Sequence, residues 1–591
     1  MKKEFYKMGI LLLILSYSIL YCGEALLRQN FLGIFRWMME YPLSFFINWM
    51  LLWLLLLGAC VLCKKPVRGV LIVGCIYMTF CVISFYKFII SGEYLTPADL
   101  ILAGEAASIS KEMNIQLERH VVIGVLLSLI SMLAAYRCKP LSLRRKQRMV
   151  GGVLFGTLFF TTAIIGAKVC TSHEEVPKEE KSLTINKQYN DNGFMIGFTQ
   201  EVVDLIIEKP EGYNEDIVKN LLMPYKVDNP NNHFAKPNII MIMSESLFDL
   251  TNLPGISYSE NPLAYFQNYG ENYVSGSIAT EVYGGRTCQT EYEVLTGHSV
   301  YFTDPQNIAY MKLVNEHTPS IPKLLQEEGY KTFAVHGYEK AFFSRDEAYK
   351  DLGIETFIAS EDLIDPTLAR DYVSDDALVD KVIELYENNQ NEPLFCHVVT
   401  MQNHMPYTDI YTANGIQVEG DNLTAEEKSR LTTYANGVKD SDKALHKLIT
   451  YFEQVEEPTI IVMYGDHLPA LDENYALYEK LHYIEGNFDE ADCYKLYQTP
   501  FIMWNNYNLP AKSMGVIDAS YLGSQMLHYI GYDKDPYMNY LVETKKHLKA
   551  YGQNFQIDQD GKLKSLETLS KLEQSVLNNL WMIQYNRLAL D

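Results

Sequence analysis

A chain of 591 residues with a formal charge of −23 is too long for one ordinary domain. Its net charge argues against nucleic acid, which is bound chiefly through phosphate neutralisation, so no nucleic-acid partner is expected. An anionic substrate would need local positive charge from a metal or a few Arg and His side chains. Of the ten cysteines, only Cys288, Cys396 and Cys493 lie outside the apolar N-terminal region. They are too few for a disulfide framework, and the compartment has to be read from topology.

Five apolar runs, near 8–23, 43–63, 67–90, 119–136 and 149–170, each approach the ~20 residues that cross a ~30 Å hydrocarbon core. No small-residue cleavage site follows Cys22-Gly23-Glu24-Ala25, so the first run is expected to stay as a helix. Lys2, Lys3 and Lys7 precede the first run, Lys64, Lys65 and Arg68 follow the second, and a basic cluster from Arg137 to Arg148 follows the fourth. The alternate loops carry Glu24, Glu40, Glu93, Asp99, Glu105 and Glu118. The positive-inside rule therefore predicts a cytoplasmic N-terminus, a multi-pass plasma-membrane domain over 1–170, and everything later outside the cell. The basic cluster reads as a topology determinant that also meets anionic headgroups of the lipid bilayer.

From 171 to 236 the chain is polar and punctuated by Pro177, Pro210, Pro224 and Pro230, with short apolar segments at Gly193 to Ile207 and Ile217 to Leu222. This predicts a linker with short helices. Beyond it, 237–591 carries short β-branched or apolar runs at Asn238 to Met243, Lys331 to Val335, Leu394 to Thr400, Thr459 to Met463 and Phe501 to Trp504, which read as buried strands. Helical patterns at Ser320 to Glu328, Asp375 to Glu387 and Ala425 to Phe452 separate them. The alternation predicts a mostly parallel sheet with helices on both faces and a ligand site beyond the strands' carboxyl ends. A helix-like stretch from Leu563 to Leu588 closes the chain.

Two of these strands run into ionisable residues: Ser244-Glu245-Ser246 after the first, and Tyr464-Gly465-Asp466-His467 after the fourth. A Glu, an Asp and a His brought together suit Mn²⁺, Mg²⁺ or Zn²⁺. Taken singly, Glu245 reads as a solvated or helix-capping residue. Between them, Gly284-Gly285-Arg286-Thr287 predicts a tight turn that presents Thr287 near a helix start, where free backbone N–H groups favour an anion. Alone, such a Thr is an ordinary N-cap.

Taken together with these motifs, the plan of the chain resembles that of the lipoteichoic acid synthases and related phosphoglycerol transferases of the alkaline phosphatase and sulfatase superfamily. The resemblance rests on the order of parts, on Glu245-Ser246, on Gly285-Arg286-Thr287, on His336-Gly337 followed by Ser344-Arg345-Asp346-Glu347-Ala348-Tyr349, and on Tyr464-Gly465-Asp466-His467. It implies a five-helix membrane domain followed by an extracellular α/β alkaline-phosphatase/sulfatase-like domain. It further implies one divalent metal, Mn²⁺ by preference, held by Glu245, Thr287, Asp466 and His467, with Thr287 also the nucleophile. A free Thr hydroxyl is a poor nucleophile at neutral pH, and coordination would correct that. Substrate contacts are implied for His336, Phe343, Arg345, His404 and Arg286, with a membrane phospholipid, phosphatidylglycerol by preference, as donor and a teichoic-acid-like chain or surface glycan as acceptor. The chain departs from the family pattern at Met243, Phe343 and Ala470, where the best-known members carry His, Trp and Ser in the headgroup pocket.

Other readings meet the same residues less well. A formylglycine sulfatase needs a Cys-x-Pro-x-Arg motif, and Cys288-Gln289-Thr290-Glu291-Tyr292 supplies neither the Pro nor the Arg. Phosphoethanolamine transferases share the plan but brace the external domain with disulfides, and a non-catalytic glycan- or lipid-binding protein would need a broken metal set.

Overall fold

The computed structural model describes residues 2–588 apart from 92–93, 102–117, 172–180, 205–206, 208, 228–233, 269–272, 304–307, 408–414, 473–474 and 554. Glu93, Glu105, Pro177 and Pro230 lie outside the described residues. The chain forms two compact units, Met1–Ile207 and Glu208–Asp591.

In the first unit, helices α1 (Lys2–Leu27), α2 (Gly33–Glu40), α3 (Pro42–Leu62), α4 (Pro66–Ser91), α5 (Arg119–Leu133), α6 (Arg145–Thr171), α7 (Lys181–Asn192) and α8 (Phe194–Asp204) follow in order. Among the described residues, five helices are long and apolar enough to cross a membrane: α1, α3, α4, α5 with its short continuation, and α6. The last begins four residues before the apolar run does, because its basic residues have work at that end. Arg148 donates from Nη1 to the carbonyls of Val61 (3.0 Å) and Cys63 (2.6 Å), capping the carboxyl end of α3, where a cation is favoured. Helices α7 and α8, expected as linker, belong to this unit through two buried polar ties. Asn48 on α3 donates to the Asn192 carbonyl (2.6 Å) and accepts from the Met195 amide (3.0 Å). Glu24 on α1 accepts from the Phe194 amide at 2.8 Å.

The second unit opens with α9 (Glu215–Leu222) and is built on an eight-stranded sheet. Its strands are β1 (Asn238–Ser244), β2 (Tyr273–Ala279), β3 (Lys331–His336), β4 (Thr356–Ile358), β5 (Leu394–Val399), β6 (Thr459–Gly465), β7 (Gln498–Asn505) and β8 (Lys512–Asp518). The order across the sheet is β8-β2-β7-β6-β1-β5-β3-β4. Every pairing is parallel except those of β7 with β6 and β2, so the strand expected at Phe501 to Trp504 runs against the rest. Central β1 is buried along its whole length, which explains a continuous Ile/Met run in place of alternation. Ile240 and Ile242 face one core with α10 (Asp375–Asn388) and α11 (Ala425–Phe452). The opposite face carries α12 (Thr287–Thr296), since its Glu291 reaches His397 on β5. The stretch from Leu563 is not one helix: Leu563–Lys564 is a short strand, and helix Lys571–Arg587 starts behind a Ser570/Glu573 capping box.

Candidate active site

The register of β1 on β6 assembles the centre. Ser244 pairs with Gly465, so the next residues, Glu245 and Asp466 with His467, emerge side by side at the carboxyl edge. Ligand atoms of Glu245, Asp466 and His467 lie within 4.8 Å of one another, and all three residues are buried. His467 Nε2 is 3.1 Å from Asp466 Oδ2 and 3.9 Å from Glu245 Oε1.

Each of the three is half-satisfied, and in the same sense. Asp466 Oδ1 accepts from the amides of Ser246 (2.7 Å) and His467 (2.8 Å), Glu245 Oε1 accepts from Ser246 Oγ (2.7 Å), and His467 Nδ1 donates to the Leu468 carbonyl (2.9 Å). That leaves Glu245 Oε2, Asp466 Oδ2 and His467 Nε2 buried without hydrogen bonds. Buried polar atoms are ordinarily partnered. Three orphans converging from two carboxylates and one imidazole, with the imidazole's far nitrogen fixed on a carbonyl, fit a divalent cation. Burial, then the neighbouring Asp466 charge, pushes the Glu245 carboxyl up to about 8 against the opposing pull of His467, Ser246 and Arg345. Glu245 is held from behind as well: its amide donates to Thr400 Oγ1 at 3.0 Å, and buried Asp375 beyond is pushed by burial to about 7.

Thr287 is the first residue of α12 and is buried. The turn before it passes through Gly284 (φ 64°), where a Cβ would stand 2.9 Å from Ala470 Cβ. Arg286 follows in the left-handed region (φ 62°) as the N-cap, half-exposed beside Thr287. Two bonds fix this turn and helix start against the Asp466–Leu468 segment: Thr290 Oγ1 donates to the Asp466 carbonyl (2.7 Å), and the Gly284 amide to the Leu468 carbonyl (3.1 Å).

One helical turn after Thr287, on the same face, stands a residue the sequence reading passed over. Glu291 is fully buried and takes Nε and Nη2 of Arg345, each at 3.0 Å, on Oε2. On Oε1 it meets Tyr349 Oη and, at 3.2 Å, His397 Nε2. Burial alone would raise its carboxyl; the Arg345 guanidinium, aided by His397 and Tyr349, overrides that and holds it at about 2. The bidentate edge of Arg345 is thereby committed within the protein. Its Nη1 lies 3.4 Å from His336 Nε2 and 3.3 Å from the Phe342 carbonyl. His336 points Nδ1 at the Val399 carbonyl (3.0 Å), and burial together with the Arg345 charge holds it down at about 3, so its ring is neutral. Phe343 is buried with its ring 5.4 Å from the Arg345 guanidinium. Phe343 and Ser344 both occupy the left-handed region (φ 58° and 54°), strain of about 1–3 kcal/mol each that concentrates at functional sites. His404 follows β5 on a separate loop, half-buried, its Nδ1 3.4 Å from Tyr372 Oη and its carbonyl accepting from Arg370 Nη2 at 3.0 Å. Met243 is buried within β1.

A mixed α/β sheet with a carboxylate–carboxylate–imidazole cluster at its carboxyl edge and a hydroxyl-bearing helix start tied to that edge defines the class. The chain belongs to the sulfatase family, which it matches over residues 237–532. Among curated proteins it is 30% identical over 383 residues to a putative cyclic beta-1,2-glucan modification protein of Rhizobium meliloti, a match covering 64% of this chain and 58% of that one. It is 26% identical over 268 residues to the lipoteichoic acid synthase of Staphylococcus saprophyticus, covering 43% of this chain and 38% of that one. The matches thus span less than two thirds of those relatives' own lengths. Among solved structures, the Streptococcus pyogenes phosphoglycerol transferase GacH in complex with sn-glycerol-1-phosphate superposes with a TM-score of 0.54 at 24% identity, over 64% of this chain and 95% of that one. This last likeness is one of fold.

Proposed function

We propose that the protein is a plasma-membrane phosphotransferase with a cytoplasmic N-terminus and an external catalytic domain, which moves a phosphoglycerol group from a phospholipid such as phosphatidylglycerol to a hydroxyl of a cell-envelope polymer or glycan. The observation that carries this reading is the convergence of three orphaned ligand atoms of Glu245, Asp466 and His467 beside the helix that begins at Thr287. The family match and the names of the relatives support the reaction class, and the five apolar helices support the lipid donor.

Glu245, Asp466, His467 and Thr287 would hold one divalent cation, Mn²⁺ by preference with Mg²⁺ or Zn²⁺ as alternatives. When bound, it would favour the Thr287 alkoxide and polarise a phosphoryl oxygen. Thr287 Oγ1 forms a bond to phosphorus as the bond to the diacylglycerol oxygen breaks, and the departing oxygen takes a proton. An acceptor hydroxyl then attacks the same phosphorus, gives up its proton, and Thr287 leaves. His336, held at about 3, cannot ferry these protons near neutral pH, so we assign both transfers to His404, a residue half-open to solvent. Arg286 and Arg345 Nη1 supply positive charge to the phosphate, and Phe343 walls the pocket. Tethering to a bilayer would raise the effective concentration of a lipid donor for the catalytic domain.

The test supplies labelled phosphatidylglycerol and Mn²⁺ to the purified full chain. Diacylglycerol release that requires Thr287 supports the proposal. No release from wild type, or equal release from Thr287→Ala, overturns it.

A further inference from the structure

A run of cations lies on the second unit, along the flank made by its outermost strand. Strand β8 stands at the edge of the sheet beside β2 and runs the same way as β1 and β6. Lys512 therefore marks the amino end of this flank, and Asp518 marks the carboxyl edge from which Glu245 emerges. Helix Ala519–Tyr529 returns along β8, and its Tyr529 Oη donates to the Pro510 carbonyl at 3.0 Å. Helix Pro536–Thr544 packs on that helix and leads into Lys545 and Lys546. Strand Leu548–Tyr551, which carries Lys549, is pinned to β8 where the Tyr551 amide donates to Asp518 Oδ2 at 3.1 Å.

The lysines brought in by these elements act on one another. Burial, then the charges of Lys512 and Lys549, pull the Lys545 ammonium down to about 8. Burial, then Lys512, Lys546 and Lys545, likewise hold His528 below its usual value, the mark of like charges gathered against their mutual repulsion. Lys545 Nζ donates to Gln525 Oε1 at 3.0 Å, and among the described residues none of Lys512, Lys545 and Lys549 pairs with a carboxylate. Counter-charges are few: Lys546 takes Glu543 at 2.5 Å, and Asp533 is the carboxylate that acts on His528. Lys549 Nζ reaches the turn at Gly561, where a Cβ would stand 3.4 Å from it, and Asp560 and Lys562 of that turn offset each other. Lys512 is exposed and Lys545 and Lys549 are half-exposed, so this flank offers solvent a positive surplus in a chain of formal charge −23.

Two features select the occupant. The cations are strung from Lys512 at one end of β8 to Lys549 beside the other, roughly 20 Å for a strand of this length, which matches a linear polyanion and not a single phosphate. The strand that bears Lys549 continues to Gln553, whose amide donates to Glu281 Oε2 at 3.2 Å, five residues before Arg286. A chain lying on the flank is thus led toward the edge that holds Thr287. We propose that Lys512, Lys545 and Lys549 form a track, outside the catalytic centre, that holds a linear phosphate-bearing polymer by its backbone charges. The track is separate from the Glu245–Asp466–His467 cluster, and the identity of its occupant rests on the reading of a polymer acceptor.

Binding is measured without turnover. Full-length Thr287→Ala protein in detergent is titrated with a short fluorescent oligomer of glycerol phosphate and read by anisotropy, with thermal unfolding as the folding control. One exposed ionic contact corresponds to up to about fivefold in affinity. Lys512→Gln and Lys549→Gln should each weaken binding by about that factor and the double variant by about twentyfold, and the slope of log affinity against log salt should shrink with each lysine removed. Lys443→Gln, which removes the same charge from α11, should bind as the parent does. Monomeric glycerol phosphate at equal phosphate concentration and phosphatidylserine micelles should both fail to displace the oligomer. No binding by the parent, or parent-like affinity in the double variant, overturns the track. So does displacement by the monomer, which would mark a single-phosphate site, or by the micelles, which would mark a bilayer-facing surface. Because the parent cannot turn over, each result is independent of whether Thr287 is the nucleophile.

Discussion

Replacing Glu291 by Gln removes a negative charge from a fully buried ion pair, leaving the Arg345 guanidinium buried and unpaired. The size of the effect follows from the carboxyl itself. A fall from 4.5 to about 2, at about 1.4 kcal/mol per pH unit, corresponds to about 3 kcal/mol of folded-state stabilisation. Breaking a buried pair from one side costs a similar 3–5 kcal/mol or so. A folded pKa below the unfolded one gives stability that is present above about pH 4.5 and is lost as pH falls toward 2. Glu291→Gln should therefore lower stability by about 3 kcal/mol at neutral pH, and the gap to wild type should close as the pH falls from about 4.5 to 2. Thermal and denaturant unfolding of the full chain, followed by tryptophan fluorescence across pH, measures both. A second variant, Glu291→Gln with Arg345→Met, should recover much of the loss because no charge is left stranded. A loss below about 1 kcal/mol at pH 7, or a gap that does not narrow in acid, would refute the buried-pair reasoning.

Three further outcomes follow from the same geometry. Glu245 is pushed up to about 8, above its unfolded value, so chelated protein should lose stability as pH rises from about 4.5 to 8; added Mn²⁺ should reverse that loss, whereas Asp466→Asn protein should respond little. A chelated protein with flat melting temperatures over this window would count against the crowded carboxylates. Thr290→Val removes the bond from α12 to the Asp466 carbonyl. On the proposed mechanism it should lower kcat by roughly tenfold with little change in fold, since a misplaced nucleophile loses rate steeply; wild-type kcat would show that the tie is dispensable. His336→Gln should lower the rate without moving the pH profile, because His336 stays neutral at every pH above about 5; loss of a limb near pH 6–7 would contradict its assignment as a neutral positioning group.

How much of this was legible in the sequence depends on how local each signal is. The runs Ile239 to Met243 and Ile460 to Met463 mark strands because both faces are buried, and their ends name Glu245, Asp466 and His467 directly. Strand β2 (Tyr-Val-Ser-Gly-Ser-Ile-Ala) escaped because Ser and Gly interrupt it, and Gly276 is there because a Cβ would stand 2.6 Å from the Gly515 carbonyl of β8. Strand β8 carries that same Gly515 in a register shift, which breaks the alternation a strand reading relies on. The direction of β7 is invisible to periodicity, which is the same for parallel and antiparallel neighbours. The Glu291–Arg345–His397 group draws on α12, the helix that starts at Arg345 and β5, and only the fold brings them together. The spacing of Glu291 four residues after Thr287 was the one hint available, and it acquires meaning only once α12 is seen to start at Thr287. Arg345 was legible as important; that its fork grips a carboxylate of its own chain was not.

The proposed reaction passes through a covalent phosphoglycerol ester on Thr287, which intact-protein mass spectrometry with peptide mapping detects. Full-length protein given phosphatidylglycerol and Mn²⁺, then quenched in acid, should gain the mass of one glycerophosphoryl group located on Thr287, with none in Thr287→Ala. Diacylglycerol release with no adduct on Thr287, or an adduct that maps to another residue, would contradict the account.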